Sequence, residues 1–190
     1  MALRCVYQAR SVLGEGALWA TDERKLYWID QMRPEIHRLD PATGHDEHLA
    51  CDLPAQLGAM VPRASGGLVL AASDGITAID TATMQRSPIV NPIAGKPRAT
   101  FNDAKCDRQG RLWAGTTDRE ETDAIGELYR VDADGTAHRI ADGFICSNGP
   151  SFSPDGRVVY HTRSHDRTIV AYDVDPDTGA ASNQRLFARI

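Results

Sequence analysis

Four hairpin sequences recur along this chain: DERKLYWID, ASGGLVLAA, RQGRLWAGT and PDGRVVYHT. The first strand residues after their turns, Leu26, Leu68, Leu112 and Val158, are spaced by 42, 44 and 46 residues. A second pattern of apolar, two variable, apolar, Asp follows each hairpin: IHRLD, ITAID, LYRVD and IVAYD. Turn signals follow three of these, at Pro41-Ala42-Thr43-Gly44, Asp134-Gly135 and Asp177-Thr178-Gly179. Each unit therefore reads as four strands, with no convincing amphipathic helix. Four-stranded units of about 40–45 residues mark the blades of a β-propeller. One such sheet cannot bury both faces, so the units stack radially around an axis. The expectation is a single all-β domain of about four blades, at residues 11–54, 55–97, 98–143 and 144–190, with 2–10 as a closing strand. A β-sandwich is disfavoured because two features recur in the same order four times.

Composition narrows the function. The 190 residues are 42% hydrophobic and 25% charged, as in a globular protein, and the net charge is −5. That charge argues against nucleic-acid or anionic-membrane partners, which need a basic face. No apolar run approaches the roughly 20 residues of a spanning helix. The start, MALRCVYQAR, lacks the apolar core of a signal peptide, so the cytoplasm is the expected location. Cys5, Cys51, Cys106 and Cys146 form no Cys-x-x-Cys pair and are read as reduced, mostly buried thiols. No Gly-x-Ser-x-Gly or His-Glu-x-x-His motif occurs. His45 and His48 fall in a polar outer turn and are read as solvated, and His161 as a packed histidine. Trp19, Trp28 and Trp113 are read as core between blades.

Register brings a site together. Ten residues before Leu112 is Asn102, ten before Val158 is Asn148, ten before Leu68 is Gly58, and eleven before Leu26 is Glu15. These are equivalent positions at the start of each innermost strand, and innermost strands line the central channel. Glu15, Asn102 and Asn148 are thus expected to converge as one carboxylate and two amides. Oxygen-only donors suit hard cations such as calcium, magnesium or manganese better than zinc. One carboxylate of the acidic run DREETDA, Asp118 to Ala124, is placed to reach the same mouth.

At these residues the chain resembles the gluconolactonase, regucalcin and senescence marker protein family. The stretches that carry the likeness are LGEGALW, IHRLDPATG, FNDAKCDRQGRLWAGT, GELYRVDADG and SNGPSFSPDGRVVYHT. The resemblance implies a six-bladed propeller with a divalent metal in its channel, and hydrolysis of a sugar lactone. Glu15 and Asn148 then match metal ligands, Asn102 a substrate-binding asparagine, with Asp103 beside it, and Glu120 a substrate contact. Thr100 stands where animal members often have Arg, and Arg163 where the family commonly has Asp. The third metal ligand, an aspartate that also serves as acid and base, is expected in a fifth blade beyond Ile190. The chain therefore reads as a C-terminally incomplete member with no catalytic residue of its own and impaired activity. Calcium is the leading metal, with zinc, magnesium or manganese as alternatives. A non-catalytic calcium- or small-molecule-binding propeller is the alternative function, and self-association through exposed blade faces is expected.

Overall fold

Each repeat folds as one antiparallel sheet of four strands. The computed structural model describes residues 3–49 and 52–190, so Ala2 and Cys51 lie outside the described residues. Sheet 1 holds β1 (Gly14–Ala20), β2 (Lys25–Asp30), β3 (Glu35–Asp40) and β4 (His45–His48). Sheet 2 holds β5 (Leu57–Pro62), β6 (Leu68–Ala72), β7 (Gly75–Asp80) and β8 (Gln85–Val90). Sheet 3 holds β9 (Ala99–Cys106), β10 (Leu112–Asp118), β11 (Gly126–Val131) and β12 (Ala137–Phe144). Sheet 4 holds β13 (Ser147–Phe152), β14 (Val158–Arg163), β15 (Thr168–Val174) and β16 (Ala181–Arg189). No helix occurs among the described residues, and the fold is all-β and propeller-like.

Three apolar clusters hold consecutive sheets together. Tyr27, Ile29 and Ile36 of sheet 1 pack on Leu57, Met60 and Leu70 of sheet 2. Ala71 and Ile76 of sheet 2 meet Phe101, Ala114 and Tyr129 of sheet 3. Trp113, Leu128 and Phe144 of sheet 3 meet Val159, Val170 and Tyr172 of sheet 4. Successive strand residues point to opposite faces, so Ala114 faces sheet 2 while Trp113 faces sheet 4. Both faces of sheet 3 are covered, and every residue of β10 is buried. Burying each large apolar side chain contributes about 1.5–3 kcal/mol, which favours stacking over an isolated sheet.

The repeated aspartates work as outer-turn caps in the first two sheets. Asp40 Oδ1 accepts the Ala42 amide at 2.8 Å, and Asp80 Oδ1 accepts the Ala82 amide at 2.8 Å. Such Asx contacts hold the chain in a turn. Two expectations need correction. Trp19 and Trp28 share the face of sheet 1 that points away from sheet 2, so unlike Trp113 neither lies between sheets; Trp19 is 48% exposed there, while Trp28 is covered by Tyr7 and His37. His45 and His48 bound strand β4 rather than a turn, and His48 packs edge-on against the His37 ring. Residues 3–10 pair with no strand among the described residues; the Tyr7 ring lies 5.9 Å from Trp28, centroid to centroid, and Ser11 Oγ accepts the Trp28 indole N–H at 3.2 Å.

Candidate metal and substrate site

Inner strands β1, β5, β9 and β13 each break register near their first residues. In sheet 1 Glu15 pairs with Ile29 and Leu18 with Tyr27, which leaves Gly16 and Ala17 opposite Trp28 alone. In sheet 2 Gly58 is the extra residue between Leu57 and Ala59. In sheet 4 Gly149 and Pro150 lie between the paired Asn148 and Ser151. In sheet 3 Phe101 pairs with Thr116 and Ala104 with Ala114, so Asn102 and Asp103 together oppose Gly115. A bulge bends a strand and re-aims its side chains. That is why two strand-averse residues occupy the interior of β9, which begins at Ala99 rather than at Asn102.

The bulges of sheets 3 and 4 are tied together. Asn102 Nδ2 donates to the Ser147 carbonyl at 2.8 Å and to Asn148 Oδ1 at 3.1 Å. Asn148 Nδ2 donates in turn to Ser164 Oγ at 2.7 Å. Asp103 Oδ2 accepts the Gly149 amide at 3.0 Å. Burial raises the Asp103 pKa, while the Gly149 amide and Lys105 pull the other way. Cys146 sits against both asparagines, with Sγ 3.4 Å from Asn148 Nδ2, and burial raises its pKa.

Gln31 extends the network to sheet 1. Its Nε2 donates to Asn102 Oδ1 at 3.4 Å, and its amide donates to the Leu13 carbonyl at 2.9 Å. Glu15 lies two residues beyond Leu13, exposed, and lines a cavity of about 390 Å³ with Tyr7, Ser11 and Trp28. A second cavity of about 390 Å³, lined by Gly16, Ala17, Met60, Asp103 and Lys105, opens between β1, β5 and β9. Among the described residues no hydrogen bond or ion pair joins Glu15 to either asparagine. The structure therefore joins Asn102, Asp103 and Asn148 directly, and reaches Glu15 only through its neighbours.

The remaining two residues sit apart. Thr100 is fully buried, with its hydroxyl on the Phe101 carbonyl at 3.4 Å. Glu120 is on an exposed loop, its carboxylate 3.6 Å from Arg98. Sequence reasoning passed over Gln31 and Ser164, although a signal existed. Each is the first residue past the second strand of its sheet, as are Ser73 and Arg119. In all four sheets that residue's amide donates to a carbonyl ahead of the inner strand: Leu13, Gln56, Arg98 or Cys146.

As oxygen donors, the residues fit a hard cation. The Asn148 amide is fixed by Ser164 and Asn102, and its oxygen keeps a second lone pair. Gly58, at the fourth equivalent position, offers no ligand but permits the geometry. A Cβ there would lie 2.4 Å from the Phe101 carbonyl oxygen and 2.6 Å from that of Asn102. Gly58→Ala is expected to push β5 off β9 and cost about 1–3 kcal/mol. Thermal melts should show a drop of roughly 2–12 °C; an unmoved melt would mean that the two strands are not in this contact.

Comparison with known proteins places these residues in context. The family model described as SMP-30/Gluconolactonase/LRE-like region matches residues 13–190. A 6-deoxy-6-sulfogluconolactonase of Pseudomonas putida is 36% identical over 189 residues, covering 98% of this chain and 64% of that protein. A pentonolactonase of Haloferax volcanii is 34% identical over 176 residues, covering 92% of this chain and 58% of that protein. Among solved structures, the calcium-binding protein regucalcin of Agrobacterium tumefaciens superposes with a TM-score of 0.91 at 25% identity, over 98% of this chain and 62% of that one. A gluconolactonase of Xanthomonas campestris superposes with a TM-score of 0.81 at 26% identity, over 97% and 65%. The chain thus spans about three fifths of the length of the relatives that it matches.

Proposed function

Because the chain belongs to the SMP-30/gluconolactonase/LRE-like family, we propose that it carries the sugar-lactone site of a metal-dependent lactonase, framed by Glu15, Asn102 and Asn148. The observation that carries this reading is the Asn102–Asn148 hydrogen bond, which joins two bulged inner strands. Glu15 and Asn148 would hold a divalent cation, calcium first, with magnesium, manganese or zinc as alternatives. When bound, such a cation polarises a lactone carbonyl and acidifies a water molecule. Asn102 has the role of orienting the substrate, because Gln31, Ser147 and Asn148 fix its amide plane. Asp103 clamps the two inner strands through the Gly149 amide. Glu120 and Thr100 mark the rim and its supporting strand.

One carboxylate and a few neutral oxygens are a thin ligand set, since calcium takes 6–8 oxygens. Residues up to Ile190 are therefore expected to bind cations weakly and to hydrolyse lactones at no more than background rate, and the aspartate that the family resemblance adds is expected to restore turnover. Trp19 and Phe187, 48% and 61% exposed on the first and last sheets, support self-association through those faces. A cytoplasmic location fits the reading, and no described helix is long and apolar enough to cross a membrane.

A second reading, a calcium- or small-molecule-binding propeller without turnover, is favoured by the calcium-binding character of the Agrobacterium regucalcin. Calorimetric titration with each cation, followed by a panel of gluconic and pentonic lactones in a proton-release assay, separates the two. Glu15→Gln is expected to abolish calcium, magnesium and manganese binding. Calcium, magnesium or manganese binding that survives Glu15→Gln would sink the site; binding without hydrolysis, even with the remainder of the ring supplied, would select the second reading.

A further inference from the structure

We propose that Glu35, His37 and His48 form a second metal site, of the zinc type, on the outer part of sheet 1 and separate from the channel. Glu35 and His37 are two residues apart on β3 and so share a face. His48 of β4 pairs directly with His37, and Asp46 pairs with Leu39, which puts all four polar side chains on that face. One donor atom from each of Glu35, His37 and His48 lies within 4.8 Å of the others.

His37 is the fixed centre of the group. Its ring stacks on Trp28, with centroids 4.5 Å apart and planes 6° from parallel, and its side chain is 4% exposed. Nδ1 lies 2.9 Å from Asp46 Oδ2, so an ionised Asp46 takes its N–H. Nε2 is then the lone-pair atom. It is buried without a hydrogen-bond partner and faces Glu35 Oε2 at 3.5 Å. Two electron-rich atoms facing each other, one of them buried, are satisfied by a cation between them.

The surroundings select the cation. A carboxylate on the far nitrogen of a metal-bound histidine orients the ring and raises its basicity, and Asp46 is so placed. Two imidazoles and one carboxylate suit zinc, in contrast to the oxygen donors of the channel. His48 stands edge-on to His37 at 4.3 Å between centroids. The side chains of His48 and Glu35 are 57% and 39% exposed, which gives the metal an entry path and lets both close around it.

The test uses the tag-free chain, zinc(II) in competition with a chromophoric chelator, and cobalt(II) as a spectroscopic substitute. One equivalent of zinc is expected to bind. His48→Gln and Glu35→Gln, both at exposed positions, should weaken it at least about tenfold, and Asp46→Asn by about 10–100-fold. Metal-free melting curves of the variants establish that they are folded. Glu15→Gln should leave this zinc in place. Zinc affinity unchanged by His48→Gln, loss with Glu15→Gln alone, a thiolate-to-cobalt charge-transfer band, or no zinc binding would each overturn the proposal.

Discussion

Asp118→Asn is expected to destabilise the protein by about 3 kcal/mol and to release the loop that carries Glu120. Asp118 ends β10 with a side chain that is 0% exposed. It accepts the Asp123 amide at 2.9 Å, the Thr122 amide and hydroxyl at 3.1 Å each, and the Glu120 amide at 3.4 Å. The Arg98 guanidinium completes the shell, with Nε 3.1 Å from Oδ1 and Nη2 on Oδ2. Burial works against the charge, but these donors outweigh it and hold the carboxyl well below the usual range. Removing one partner of a buried pair costs about 3–5 kcal/mol. Arg98 is 39% exposed, so water takes over part of its solvation and the lower end applies. The melt should fall by roughly 6–12 °C. The wild-type contribution is present above the unfolded carboxyl pKa, near 4, and is lost as pH falls through the lower folded value. Urea denaturation gives the stability, and hydrogen exchange at the Thr122 and Asp123 amides reports the loop. Unchanged exchange at those two amides would show that Asp118 does not organise the loop.

The second large effect is acid sensitivity set by His161. This histidine of β14 is 0% exposed, with Nε2 2.6 Å from Ser147 Oγ and its ring 4.5 Å from that of Phe144. Burial, and then the charge of Arg163, lower its pKa from 6.5 to about 4. The neutral ring is at home in the folded state, while the unfolded chain takes up a proton near pH 6.5. Stability is therefore full above pH 6.5 and declines as pH falls toward about 4, by on the order of 3 kcal/mol in all. Urea midpoints measured from pH 7.5 to 4.5 should trace this decline before most carboxylates titrate. His161→Gln should flatten it, whatever its own stability. A wild-type profile that is flat across that window would place the His161 pKa near its ordinary value. Ser147, whose hydroxyl contacts His161, also supplies the carbonyl that accepts from Asn102.

Much of the fold was legible because strand and turn signals are local. The spacing of Leu26, Leu68, Leu112 and Val158 located the second strand of every sheet within a residue, since an apolar strand after a Gly- or charge-rich turn depends on near neighbours only. Counting back from them found Asn102 and Asn148, which lie 3.1 Å apart although 46 residues separate them. Position within a repeat becomes position in space when sheets stack around an axis.

What side chains touch across sheets was not legible. The reach of Gln31 of sheet 1 to Asn102 of sheet 3 depends on how closely the sheets approach; the four bulges and the contact of Glu120 with Arg98 lie within single sheets, but no periodic pattern marks them. Gly58 and Gly115 show the scale of that dependence. A Cβ on Gly58 would meet the Phe101 carbonyl oxygen at 2.4 Å, and one on Gly115 the Ser147 hydroxyl at 1.8 Å. His48 is 57% exposed, and its contacts with Asp46 and His37 lie within its own sheet. The sequence by itself determined the repeat, the strands and the equivalent positions, because these follow from alternation and turn chemistry within a few residues. Tertiary structure decided which of the equivalent residues meet, because that rests on separations of a few tenths of an ångström between sheets, and no local pattern encodes them.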